Sequence, residues 1–209
     1  KYKNNFPYQN YFLCMARFVK KKNHKKLLEA FEIYKSNNGK CNLLLIGEGP
    51  EKKSIERYIK NSNFTTSIFI ESWKQIDELP AYYRNSKATI LASSSDQWGL
   101  VVNEAMASGT PCIVSKSCGC YVDLIENANT GWGFDSENSE EIAFLLKKVE
   151  SLSNSELKEI KKNIKFKISN YNLENFSDAL KGSTYMSLSN KKFSLISSLT
   201  SYLLFKLLK

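Results

Sequence analysis

Residues 88–106 read ATILASSSDQWGLVVNEAM, and they hold a complete structural unit. Ala88–Ala92 is a short, fully apolar run without alternation. Ser93–Trp98 is a polar loop, and Gly99 opens a helical pattern near 99–108. The same rhythm extends in both directions. YFLCMA (11–16) precedes a helix near 24–36, CNLLLIG (41–47) one from Pro50 to Lys60, SIFI (67–70) one near 76–85, and PCIVS (111–115) a short one near 120–126. Five apolar runs alternating with helices predict an α/β fold, a Rossmann-like parallel sheet covered by helices on both faces.

In such sheets ligands lie outside the carboxyl ends of the strands, where loops enter helix N-termini. The unusual chemistry of this chain falls there: Arg17–Asn23, Gly47–Pro50, Glu71–Trp73, Ser93–Gly99 and Ser117–Tyr121. After Trp132-Gly133-Phe134 the pattern turns helical. Ser139 is the expected N-cap ahead of an apolar stripe of Ile142, Leu145, Leu146 and Val149. Further helices fit 155–168 and 172–182. Residues 1–185 are read as the main domain and 186–209 as an amphipathic helical tail. That tail sets Phe193, Ile196, Leu199, Leu203 and Leu207 opposite Ser194, Ser198 and Ser201, and is too short and too interrupted to need to span a membrane.

Composition narrows the function. Thirty Lys and Arg against twenty-one Asp and Glu give a net charge of +9, which suits phosphate-bearing or anionic partners. Twelve Lys against six acidic residues in 141–209 put most of that excess in the last third. No basic face interleaved with stacking aromatics is evident, so nucleic acid is not an expected partner. The five cysteines lie in apolar runs or beside a Gly, as small buried thiols do, and imply a reducing cytosol. Cys118-Gly119-Cys120 is too tight for a zinc knuckle, and with one histidine, His24, no metal is expected. The apolar run at 11–16 is too short for a signal core, which points to a cytoplasmic location.

Within the central loop, Glu104 falls in the second turn of its helix, on the face carrying Val101 and Ala105. A carboxylate there needs hydrogen bonds. A vicinal diol, such as that of ribose, supplies two in parallel, while the amides of Gly99 and Leu100 face a phosphate under the helix dipole. Asp96 then reaches hydroxyls of a sugar beyond the diphosphate. Taken alone, the stretch equally suits a Glu104 salt bridge and an Asp96 helix cap. Arg17 and, five residues on, Lys22 form a second candidate element, a two-pronged donor and a point charge able to clamp a diphosphate. Gly47-Glu48-Gly49-Pro50 lacks the third Gly of a dinucleotide fingerprint, since position 52 is Lys. A tight turn into a helix with Pro first accounts for it. Cys118-Gly119-Cys120 is expected to be a close backbone approach at a helix N-terminus.

These residues resemble the retaining glycosyltransferases of group 4 with the GT-B fold. The likeness rests on ARFVKKKNHKKLLEAF, LLLIGEGP, SIFIESWKQIDELPAYYRNSKATILASSSDQWGLVVNEAMASGTPCIVS and CGCYVDLI, and runs from about residue 11 to 150. It implies the C-terminal, donor-binding half of such an enzyme, with an N-terminal acceptor domain missing. By resemblance, Arg17 and Lys22 bind the donor diphosphate, Glu104 is the ribose-binding second acid of the E-x7-E motif, and Asp96 stands where the family usually has Glu. One missing methylene moves that carboxylate by roughly 1.3 to 1.5 Å, which bears on donor-sugar preference. Gln97, Trp98, Gly99 and Leu100 match the loop that meets the sugar and β-phosphate. Gly47 and Gly49 are carried over with the donor-binding set, and so is Trp73, although Glu71 stands where the family commonly has Gly.

The resemblance implies transfer from a nucleotide sugar, with retention, to a glycan or lipid-linked acceptor in cell-surface polysaccharide synthesis, without a metal or other cofactor. The tail is expected to pack on the missing domain or, as the second reading, to make a peripheral contact at the inner face of the membrane. A sugar-nucleotide epimerase or phosphorylase of the same fold, and a non-catalytic nucleotide-sugar-binding module, are the alternatives. A glycosidase fits poorly, because its paired acids must face each other across the scissile bond with one protonated.

Overall fold

The computed structural model describes residues 6–189. Six strands alternate with helices. They are β1 (Tyr11–Met15), β2 (Asn42–Ile46), β3 (Ile68–Glu71), β4 (Thr89–Leu91), β5 (Cys112–Ser115) and β6 (Gly131–Phe134). Between and after them run α1 (His24–Ser36), α2 (Lys52–Asn61), α3 (Leu79–Asn85), α4 (Leu100–Ala107), α5 (Cys120–Leu124), α6 (Ser139–Glu150), α7 (Asn154–Ser169) and α8 (Leu173–Ser189). Every strand pair is parallel, in the order β3-β2-β1-β4-β5-β6.

The apolar runs become strands because both faces are covered: β1 is buried throughout, as are β4 and β5. On one side α1 packs with α2 and α6, and α3, α4 and α5 pack as a second group. The parallel sheet with helices on both sides matches the sequence reading, with one strand more than the five expected.

Four local readings shift. β6 is a strand that the sequence reading left out. Two glycines in Gly-Trp-Gly-Phe weaken a strand pattern, but a Cβ on Gly131 would lie 2.3 Å from the Cys112 carbonyl, so close backbone approach selects Gly there. The cap of α6 is Asn138 rather than Ser139: the Asn138 Oδ1 accepts from the Glu141 amide at 3.0 Å, three residues on, as an N-cap must. Its stripe of Ile142, Leu145, Leu146 and Val149 is buried as expected. Pro50 lies in the turn before α2, whose N-cap is Glu51, instead of at the first helical position. α3 begins at Leu79, three residues later than expected. A reciprocal cap starts α7, where the Ser153 hydroxyl accepts from the Glu156 amide at 3.3 Å and the Glu156 carboxylate accepts from the Ser153 amide at 2.8 Å.

The chain divides into two compact units, one ending at Ile168 and one beginning at Ser169. In the second, the Asn172 side chain caps α8 by accepting from the Asn175 amide at 2.8 Å, and Leu173, Phe176 and Leu180 are exposed. Of the amphipathic tail expected over 186–209, residues 190–209 lie outside the described residues. Among the described residues, no helix is long and apolar enough to cross a membrane.

Candidate active site at the switch between β1 and β4

The connection from β1 leads to β2 on one side, whereas β4 lies on its other side and continues to β5. The loops after β1 and β4 therefore diverge and leave a crevice between them, the topological switch point of an open parallel sheet. A cleft of about 620 Å³ occupies that crevice. It is lined by Arg17 and Lys22 from the β1–α1 loop, Trp73 from the β3–α3 loop, Asp96, Gln97, Trp98 and Gly99 from the β4–α4 loop, and Leu100 and Glu104 from α4. The structure thus brings together nine of the eleven residues expected at the site.

Gly47 and Gly49 do not line it. A Cβ on Gly47 would lie 2.0 Å from the Ala16 carbonyl oxygen, and one on Gly49 2.4 Å from that of Phe18. Their missing side chains let the β2–α2 loop press against the β1–α1 loop, where Phe18 donates its amide to Glu48 O at 2.8 Å. The Phe18 ring is fully buried and anchors that loop, with Arg17 exposed beside it.

Lys22 ends a short 3-10 turn, Lys20–Lys22, and its ammonium pairs with the Asp96 carboxylate. Both side chains are about six-sevenths shielded from solvent, at 16% and 13% exposure, so this pair is worth more than a surface one. Buried Ser93 donates to the same Asp96 oxygen at 3.4 Å, and the Ser94 amide donates to Lys21 O at 2.9 Å. On its other side the Asp96 loop is zipped to residues 117–120. The Gly119 amide donates to Asp96 O at 3.0 Å and the Cys120 amide to Trp98 O at 3.1 Å. A Cβ on Gly119 would lie 2.0 Å from Gln97 O, so Cys118-Gly119-Cys120 is the close backbone approach its sequence suggested. The flanking thiols are buried, and burial first, with Asp96's charge added, pushes them up to about 11 for Cys118 and about 12 for Cys120. Both are protonated at neutral pH and offer no thiolate. Among the described residues no group of His, Cys, Asp and Glu is placed to hold a metal ion.

Gly99 turns the chain into α4 with φ 103°, a backbone conformation that glycine adopts without a Cβ clash. No side chain caps α4 and no acid stands in its first turn, so its leading amides and dipole face the cleft as an anion site. The Trp98 indole is fixed by donating to the Asn103 Oδ1 at 2.7 Å. One turn further on, Glu104 is exposed to the cleft, and its Oε2 accepts from the Tyr83 hydroxyl at 2.6 Å.

Two contributors escaped the sequence reading. Lys74 lines the cleft beside Trp73 and pairs with Glu71, which also accepts hydrogen bonds from Tyr8 and, at 3.1 Å, from Tyr82. Burial raises the Glu71 carboxyl, but the bonds from Lys74 and Tyr8 more than reverse this and hold it below its ordinary range. Glu71 is therefore consumed inside this cluster. Tyr83 is the other contributor. Nothing in Tyr82-Tyr83 tells which ring faces α4.

The family model described as Glycosyl transferases group 1 matches residues 2–166. The chain belongs to that family. It is 32% identical over 120 residues to the N-acetyl-alpha-D-glucosaminyl L-malate synthase of Bacillus anthracis, a match that covers 56% of this chain and 30% of that protein. The chain spans about a quarter to a third of the length of the curated relatives it matches. Among solved structures it resembles the C-terminal domain of a glycosyl transferase group 1 family protein (LpcC) from Francisella tularensis. The TM-score is 0.70 at 24% identity, over 79% of this chain and 88% of that one. It also resembles the pneumococcal O-GlcNAc transferase GtfA, solved with UDP and GlcNAc, with a TM-score of 0.71 at 18% identity over 87% of this chain and 37% of that one. The fold of this group 1 chain is thus the Rossmann-like domain of GT-B glycosyltransferases.

Proposed function

We propose that this chain is the donor-binding, C-terminal half of a retaining glycosyltransferase that moves a sugar from a nucleoside diphosphate to a glycan or lipid-linked acceptor, in cell-surface polysaccharide synthesis. The observation that carries the reading is convergence. Arg17 and Lys22, the open end of α4 at Gly99, and the carboxylates of Asp96 and Glu104 come from separate elements and face one cleft. Similarity to an isolated C-terminal domain supports the assignment to that half. The acceptor is held by an N-terminal domain outside this sequence.

The diphosphate lies against the amino end of α4, with Arg17 as a planar donor and Lys22 as a point charge. Glu104 takes the ribose diol and Asp96 the hydroxyls of the transferred sugar. Lys22 is charge-balanced by Asp96 before the donor arrives. A diphosphate offers more negative charge than one carboxylate, so it draws the ammonium toward itself and releases Asp96 to the sugar. Catalysis then rests on stabilising charge on the leaving diphosphate, from groups already in place. By itself the chain binds the donor and transfers little.

A thermal-shift screen of UDP, GDP and ADP sugars tests the site. One of them is expected to stabilise the wild type and to stabilise Glu104→Gln and Arg17→Ala less. Equal stabilisation of all three proteins would remove the site.

A further inference from the structure

We propose that Tyr83 is a positioning residue for donor recognition, locking the Glu104 carboxylate in the orientation that accepts a ribose diol. This rests on the donor-binding reading above and names a residue that acts through Glu104 without touching the ligand.

Glu104 projects from the exposed side of α4, where a long carboxylate side chain ordinarily samples several rotamers and must give them up on binding. Tyr83 removes that freedom beforehand. Its ring, on α3, is 1% exposed and therefore fixed by packing, and its hydroxyl lies 2.6 Å from Glu104 Oε2. The hydroxyl also lies 3.3 Å from the Met15 sulfur, but it has one proton, and an ionised carboxylate is much the stronger acceptor. Burial, and then the hydrogen bond to Glu104, push the phenol far above its ordinary range, so it stays a donor at every usable pH.

The chemistry of the anchor matters. A lysine here would neutralise the carboxylate, as Lys22 does for Asp96. A phenol is neutral, so Glu104 keeps its charge. It also occupies a single lone pair, leaving Oε1 and the second lone pair of Oε2 for the paired hydroxyls of a ribose. Backbone bonds hold Tyr83 independently of its hydroxyl, since its carbonyl accepts from the Thr110 hydroxyl at 2.7 Å and the Ser86 hydroxyl at 2.8 Å. Removing the phenolic oxygen therefore leaves α3 anchored.

The test is calorimetric titration of wild type, Tyr83→Phe, Glu104→Gln and the double variant with the preferred nucleoside diphosphate and with its 2′,3′-dideoxy analogue, which lacks the diol. Tyr83→Phe is expected to weaken the ribose form about ten-fold. It should change the dideoxy form by less than about two-fold and add nothing on top of Glu104→Gln. Equal weakening of both ligands would assign Tyr83 a purely structural role and overturn the proposal. A wild-type ribose preference that Glu104→Gln abolishes and Tyr83→Phe preserves overturns the positioning role while leaving the donor site intact. Absence of any nucleoside diphosphate binding by the wild type overturns both.

Discussion

Asp96 and Glu104 lie eight residues apart and line the same cleft, yet they are held by opposite means. Asp96 sits in a loop that has no helix or ladder of its own. Its place is set by backbone bonds to residues 117–120 and its charge is matched by Lys22, seventy-four residues away. Glu104 rides on a helix whose register fixes its direction, and its side-chain anchor is the neutral hydroxyl of Tyr83. An acid neutralised by a cation must exchange partners before it can serve a ligand. An acid held by a phenol is ready, with its charge intact. On the proposed donor-binding reading, the cleft therefore has a preset ribose end and an exchanging sugar and phosphate end.

Breaking the Asp96 side alone gives the largest expected effect. Gly119→Ala drives a Cβ into the Gln97 carbonyl and is expected to cost about 3 to 4 kcal/mol in urea unfolding, with the Tyr83–Glu104 contact untouched. Next comes His24, which packs edge-on against Phe18 at 4.9 Å beneath the Lys22 loop. Burial first, then the charge of Lys22, lowers it from 6.5 to about 4. Above pH 6.5 both folded and unfolded chains hold it neutral and nothing is lost. As pH falls from 6.5 toward 4, the unfolded chain gains a proton that the folded one refuses. Stability should decline by about 3 kcal/mol across that window and then level off. Denaturation at pH 7 and pH 4.5 should show this contribution as a difference between wild type and His24→Leu, which cancels the other acid-sensitive groups.

Two smaller effects sharpen the contrast between the ends. Lys22→Met, which removes both the proposed phosphate ligand and the partner of Asp96, is expected to weaken nucleoside diphosphate binding by about thirty-fold, or about 2 kcal/mol, with the ribose and dideoxy forms affected alike. Glu104→Gln should weaken the ribose form alone, about ten-fold, and leave thermal stability within about 0.5 kcal/mol because its side chain is exposed. Titration of both variants with both ligands reads the two ends separately. If Lys22→Met also abolished the ribose preference, the division between the ends would disappear.

The parts of the fold that were legible share one property: a local pattern with a single reading. Unbroken apolar runs such as Leu43–Ile46 suit a strand buried on both faces, and the stripe of α6 suits a helix over a core. β6 was illegible because its two glycines answer to Cys112 and Tyr121, contacts made by distant chain. The cap of α6 shifted by one residue because Asn138 and Ser139 both have capping side chains, and the path of the entering chain chooses between them. At the site, Arg17, Lys22 and Asp96 stood out as charges in loops after strands, and Glu104 as a carboxylate on the apolar face of a helix. Gly47 and Gly49 were expected with the donor-binding set, whereas the structure makes them spacers between two loops.

The order of the sequence determined five of the six strands, the loops that leave them and the polar groups that those loops carry, because side-chain burial and turn chemistry act over a few residues. It did not determine which strand ends become neighbours. Placing β1 beside β4 set Arg17 and Lys22 opposite Asp96 and Gly99, and packing α3 on α4 gave Glu104 its hydroxyl partner. Those decisions belong to the tertiary structure, since hydrogen bonds and ion pairs reach only a few ångströms and form between whichever groups the packed sheet brings within range.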